Sequence, residues 1–124
     1  TVENAVAKQA GIAASIAKEG LAWGEPIEQS VLRREDFAKI VDPSGAADIL
    51  SSNNAPSSVT ARGHQYPAAF LLQASGLSLH GSGATMPLAY THVDIAGSAT
   101  EGHPQYGKPT GAPLVGLYRH ITRE

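Results

Sequence analysis

His92 and Asp94 stand two residues apart in the stretch Thr91-His92-Val93-Asp94-Ile95-Ala96-Gly97-Ser98-Ala99. On a strand that spacing puts both side chains on one face. A histidine and a carboxylate so placed could bind a metal ion, or form a base with its orienting partner. A metal site needs more than two protein donors, and no His-Glu-x-x-His motif supplies them. The favoured reading is that His92 and Asp94 are structural polar groups, hydrogen-bonded to backbone near a strand end. His64, His80, His103 and His120 are scattered through loops and a terminus, and each is read as an exposed polar residue.

Arg62, His64 and Tyr66 alternate in Ala61-Arg62-Gly63-His64-Gln65-Tyr66-Pro67. Arg62 could hold a carboxylate or phosphate with two parallel hydrogen bonds. The plainer reading, a loop anchored by its own hydrogen bonds or a subunit contact, is preferred. Gly81-Ser82-Gly83 and Gly107-Lys108-Pro109-Thr110-Gly111 invite a phosphate loop, but Pro109 follows Lys108 where that motif needs Ser or Thr. The second stretch could still offer an anion the N-terminus of a helix. No Gly-x-Ser-x-Gly elbow occurs. Trp23 is read as a packing anchor.

The chain has 124 residues, enough for one domain. Nine Lys and Arg against eleven Asp and Glu leave a net charge of −2. That balance makes no electrostatic case for nucleic acid or an anionic membrane as partner. With no cysteine, disulfides and thiolate zinc sites are excluded, which is compatible with a reducing compartment. No apolar run approaches the roughly 20 residues of a membrane span. No signal peptide is expected, and the missing initial Met suggests processing, trimming or a partial chain.

The elements that must position these residues follow from periodicity. Val2, Ala5, Val6, Ala13 and Ile16 predict a helix over 2–18, weakened by Gly11 and stopped by Gly20. Its alanines suit close packing against something larger. Leu32, Phe37, Ile40 and Val41 predict a second helix over 31–41. Residues 42–67 read mostly as loop, with a short buried strand at 46–50. Pro67 opens a short apolar helix over 67–75. Residues 87–96 make the best strand, apolar enough to be covered on both faces as in an α/β sheet. Thr110 is the expected N-cap of a last helix striped by Leu114, Val115, Leu117, Tyr118 and Ile121. Two strands are too few for this much helix, so the core reads as incomplete.

Thr91–Ala99 followed by Lys108-Pro109-Thr110-Gly111-Ala112-Pro113-Leu114-Val115-Gly116-Leu117 resembles the C-terminal signature of the M17 leucine aminopeptidase family. Members carry an Ala-His-Leu-Asp-Ile-Ala-Gly strand, a variable loop and a Thr-Gly step into the last helix. Upstream, Ala46–Leu50 and Pro67–Leu71 resemble the family's matching segments, and Gly20–Gln29 does so after an amphipathic helix. The best-matched positions are His92, Asp94, Ala96, Gly97, Thr110 and Gly111. Ser98, Ala99, Pro109, Pro113 and the Gly63–Pro67 insert depart from the pattern.

The resemblance implies that residues 1–124 are the C-terminal segment of a catalytic domain built as a three-layer αβα sandwich around a mixed sheet, incomplete on its own. It implies a homohexameric, peptide-hydrolysing enzyme in the cytoplasm, or alternatively the mitochondrion. Two divalent ions, zinc or manganese, would lie outside this chain, because the family's Asn-Thr-Asp-Ala-Glu-Gly-Arg type motif is absent. No catalytic residue and no metal ligand is then expected here. Ala96, Gly97, Ser98 and Ala99 would form a wall of the pocket that takes the substrate's N-terminal side chain. Ala99 would make that pocket roomier. The remainder of the parent domain would be the partner. Two other readings are a non-catalytic subunit retained in a larger assembly, and an independent small binding domain using the 97–111 loop.

Overall fold

Asn4 sets the start of the fold. Its side-chain oxygen accepts from Ala7 N–H at 2.9 Å, capping a first helix, α1 (Ala5–Gln9). The same side chain donates to the Leu88 carbonyl at 2.8 Å and accepts from Tyr90 N–H at 3.1 Å. One residue therefore fixes α1 against the extended stretch 87–90. In the computed structural model the described residues are 1–51, 55–56, 59–103 and 105–123; for Ala96 the backbone alone is described.

The predicted helix over 2–18 is two helices preceded by a strand. Val2–Glu3 form β1, and α2 runs from Ile12 to Ala22. Gly11 separates α1 from α2 with φ of 68°, a left-handed turn that suits glycine. Glu3 then accepts from Ala13 N–H at 2.9 Å, placing a carboxylate at the start of α2.

Gly20 is no helix stop. It lies buried inside α2, where a Cβ would come within 2.3 Å of the Glu25 carbonyl oxygen. Gly116 faces it from the last helix, α5 (Leu114–Thr122), its position for a Cβ only 3.3 Å from Gly20 Cα. The two glycines let α2 and α5 cross closely, so the expected close packing is realised against α5. Glu25 reinforces the crossing by accepting from Gly116 N–H in the first turn of α5 at 2.7 Å.

The second predicted helix shortens to α3 (Arg34–Ala38), because Asp36 turns back to accept from Arg33 N–H at 2.8 Å and the helix ends by Lys39. Residues 46–48 form bends and 49–50 take no regular structure, so the expected strand is absent. Asp42 organises that turn by accepting from Ser44 N–H and Ala47 N–H, at 2.9 and 2.8 Å. The parts of the predicted loop at 52–54 and 57–58 lie outside the described residues. The apolar helix appears as α4 (Tyr66–Ala74), with Pro67 in its first turn.

The fold is mixed α/β. The best predicted strand pairs over two residues only: β2 (Thr91–His92) lies antiparallel to β1 with Val2 opposite His92. Val2 also bridges in parallel to Ser30. Beyond this ladder the 87–96 stretch is held by Asn4, and Leu88 and Ile95 are exposed, so its two faces are not covered as expected. A second antiparallel ladder joins β3 (Thr100–Glu101) to β4 (Lys108–Pro109). Thr110 does not cap α5; its hydroxyl donates to the Ser98 carbonyl and its N–H to the Ala99 carbonyl.

Among the described residues the buried apolar ones are Val2, Ala7, Ala13, Ile16, Ile40, Ala68, Ala69 and Leu72. Half are alanine, so little apolar area leaves water. The stripe of α5 faces outward: Leu114, Val115, Tyr118 and Ile121 are exposed, and Leu117 is half-buried. Trp23 is exposed as well, with the Arg119 guanidinium 4.9 Å above its ring centre. Among the described residues no helix is long and apolar enough to cross a membrane.

Candidate functional site

Two acidic residues are met by two members of the Arg62–Tyr66 stretch. Arg62 reaches Asp36, donating from Nε to Oδ1 at 2.6 Å and from Nη2 to Oδ2 at 2.8 Å. Nη2 also donates to the Val31 carbonyl at 2.7 Å. The bidentate geometry considered for Arg62 is present, and the carboxylate it holds is the chain's own. Burial pushes the Asp36 carboxyl up, but the bonds from Arg62 and Arg33 N–H outweigh it and hold it below the usual carboxylate range. Arg62 takes φ of 57°, a left-handed backbone that a non-glycine residue adopts only when its surroundings hold it there. The ion pair and the Val31 contact supply that hold.

Two residues on, His64 Nδ1 lies 2.8 Å from Asp94 Oδ2. A carboxylate only accepts, so this contact places a proton on Nδ1. The partner of Asp94 in this pair is thus His64, thirty residues away, rather than its near neighbour His92. The His64 side chain is 50% exposed and that of Asp94 is 24% exposed. Gln65, next in the chain, donates to the Ser30 hydroxyl at 2.9 Å and pins the loop beside β1.

His92 lies half-buried in β2, with the Tyr90 hydroxyl 3.3 Å from its Nδ1. Burial lowers its pKa, opposed by the Asp94 charge and assisted by the N-terminal amine. Burial also raises the Tyr90 phenol. In both, burial favours the neutral form.

Ala96–Ala99 form a 3-10 turn directly after Asp94 and Ile95. Ser98 closes it by donating both N–H and hydroxyl to the Ile95 carbonyl, at 3.1 and 2.5 Å. Gly97 and Ser98 are exposed and Ala99 is half-buried. A cleft of about 340 Å³ opens between this turn, the His64 loop and the segment leading from α2. His64, Asp94, Ile95 and Ser98 line it, together with Glu25, Ile27, Glu28 and Pro113. Among the described residues no three His, Cys, Asp or Glu side chains stand together as a metal site.

Of the other histidines, His103 is exposed as expected, whereas His80 and His120 are half-buried. His120 Nδ1 meets the buried Ser15 hydroxyl at 2.8 Å, and His80 Nδ1 meets the Met86 carbonyl at 2.8 Å. His103 stacks on Tyr106 with ring centres 4.3 Å apart. Sequence reasoning treated His64 as an exposed polar residue and missed its pairing. The available signal was its alternation with Arg62, but nothing local indicates which distant carboxylate each would find.

A Caenorhabditis elegans protein whose name reads "Putative aminopeptidase" is 41% identical over 116 residues, covering 94% of this chain. This chain is a relative of a peptidase-named protein. It spans about a fifth of that protein's length, the matched part being 22% of it. No family model matches the chain, and no solved structure matches it significantly.

Proposed function

We propose that the chain is the C-terminal part of a metal-dependent aminopeptidase of the M17 leucine aminopeptidase type, releasing N-terminal residues from peptides. The observation that carries this reading is the similarity along 94% of the chain to a fifth of a much longer relative. A match so distributed is what a segment of a larger enzyme produces. The small alanine-rich core and the outward stripe of α5 support it, since both suit a piece that packs on further structure.

In this reading the segment supplies shape. The turn 96–99 forms one wall of the pocket for the substrate's N-terminal side chain, as its position on the cleft at Ser98 and Ile95 suits. His92 and Asp94 position that turn: His92 is paired in β2, and Asp94 immediately precedes Ile95. The donors present do not fit a two-metal centre. His64 and Asp94 bring two ligating groups, and the facing atoms of both are engaged with each other. The metal ligands, zinc or manganese as the ion, and the homohexamer are assigned to sequence outside this chain. No chemical step is routed through a metal here.

The test is to purify the native material through a tag, measure its intact mass, and assay leucine release from leucyl-anilide with and without a chelator. The expected result is a longer or co-isolated polypeptide whose turnover the chelator abolishes. A native 124-residue species with no co-isolated chain and no turnover contradicts the reading.

A further inference from the structure

Helix α5 packs through its small and polar side. Gly116 meets Gly20 of α2, and His120 Nδ1 and the Arg123 guanidinium both reach the buried Ser15 hydroxyl. An α-helix turns by about 100° per residue, so Leu114, Tyr118 and Ile121 lie away from that contact, with Val115 beside them. Leu114, Tyr118 and Ile121 are 66%, 64% and 76% exposed. Trp23, 59% exposed, extends the patch through Arg119, which covers its ring one turn from Val115. Together they leave uncovered an area on the order of 600 Å², at the upper end of what a lone soluble domain exposes. Arg119 adds an independent sign of a missing neighbour. Its Nε is buried with no hydrogen-bond partner among the described residues. The Trp23 face beneath the guanidinium attracts the charge but accepts no in-plane hydrogen bond. A cation placed this way calls for a carboxylate.

We propose that this face of α5 is the joint between residues 1–124 and the remainder of the same polypeptide, which covers the stripe with an apolar surface and sets a carboxylate against Arg119. The inference rests on the aminopeptidase reading for the existence of that remainder. The length of the relative favours this occupant: the matched part is 22% of it, so most of a protein of that size lies outside the matched stretch. A second copy of this chain fits less well. Two-fold pairing would set the face against itself. Positions 114–123 hold Arg119, His120 and Arg123 and no Asp or Glu, and the nearby Glu25 already accepts from Gly116 N–H. Like charges would then meet, and Arg119 would find no carboxylate.

The experiment uses the native material purified through its tag. The photoreactive residue p-benzoylphenylalanine replaces Tyr118 in one variant and Ile121 in a second. Arg119→Lys is treated separately with a carbodiimide, which condenses its new amine with a carboxylate in contact, with loss of water. Peptide mass spectrometry locates each attachment. Both photoprobes are expected to attach to sequence outside residues 1–124, and the amine at position 119 to form an amide with an Asp or Glu of that outside sequence. Adding Ile121→Asp is expected to lower the yield at position 118 by a factor on the order of ten, because a charge on the stripe opposes its burial. Circular dichroism establishes that each variant is folded, and Leu114→Ser replaces Ile121→Asp if that variant is not.

Attachment of the photoprobes to a second copy of residues 1–124 or to an unrelated protein, or no attachment, overturns the proposal. So does a yield at position 118 that Ile121→Asp leaves unchanged. An amide at position 119 that is absent, or confined to residues 1–124, removes the proposed carboxylate. The readout needs no turnover, so the two readings fail separately. Attachment to outside sequence in material that hydrolyses no peptide removes the aminopeptidase reading and leaves the joint. Hydrolysis with the photoprobes tied to a second copy does the reverse.

Discussion

Arg62 and His64 are two residues apart on one loop, and each meets a carboxylate, yet the two pairs do different work. Asp36 is fully buried and its partner Arg62 is 24% exposed, whereas Asp94 and His64 are 24% and 50% exposed. Arg62 binds both Asp36 oxygens and a backbone carbonyl; His64 Nδ1 lies 2.8 Å from Asp94 Oδ2. Removing one partner of a buried pair leaves an uncompensated charge in a poor solvent, while an exposed pair is largely replaced by water. The first pair therefore holds the loop to α3, and the second has a ring edge left to face a cleft. Rigidity from one supplies placement for the other.

The largest effect should come from the buried pair. Asp36→Ala strands Arg62 and unties Arg33 N–H, and is expected to destabilise the chain by about 3 kcal/mol in urea unfolding. A loss comparable to that of an exposed pair would erase the contrast between the two sites.

Acid should separate the regions next. Asp36 is held below its ordinary pKa of 3.8, so its stabilising contribution is complete above that value and is lost as the pH falls below it. His92 is held below its ordinary 6.5 by burial, so the unfolded chain takes up that proton more readily. Its contribution is present above pH 6.5 and declines as the pH falls below it. Urea midpoints measured from pH 8 to pH 3 are expected to fall in two stages. His92→Asn should flatten the upper stage and leave the lower one; a profile unchanged by that substitution would remove His92 from the account.

The smallest effect is expected at the exposed pair. His64→Phe should alter stability by no more than about 0.5 kcal/mol, the scale of a solvent-facing ion pair. A loss of several times that size would make His64 a second anchor rather than a residue with a free edge.

The sequence made part of this legible. Pro67 in the first turn of α4, the apolar stripe of α5 and the loop around Asp42 follow from local chemistry and appear where expected. Mixed α/β character followed from the same patterns. The early helix was split because Gly11 can take φ of 68°, an option that periodicity does not reveal. Gly20 read as a stop because helix ends favour glycine; its actual reason is the approach of Gly116, ninety-six positions away. The 87–96 run reads as a covered strand, but cover is a property of neighbours, and β1 offers it only two residues of ladder. Asp94 illustrates the same limit at the site. The favoured reading made it a polar group bonded to backbone near a strand end, and the fold brings the His64 side chain to it across thirty residues.

The central claim is that these residues lend form to a catalytic centre whose metal-binding groups are encoded outside them. Turnover of leucyl-anilide by the purified 124-residue chain, supplied with zinc or manganese, tests it most directly. No turnover above buffer is predicted. Turnover that disappears in a His92→Ala, Asp94→Ala double variant would contradict it.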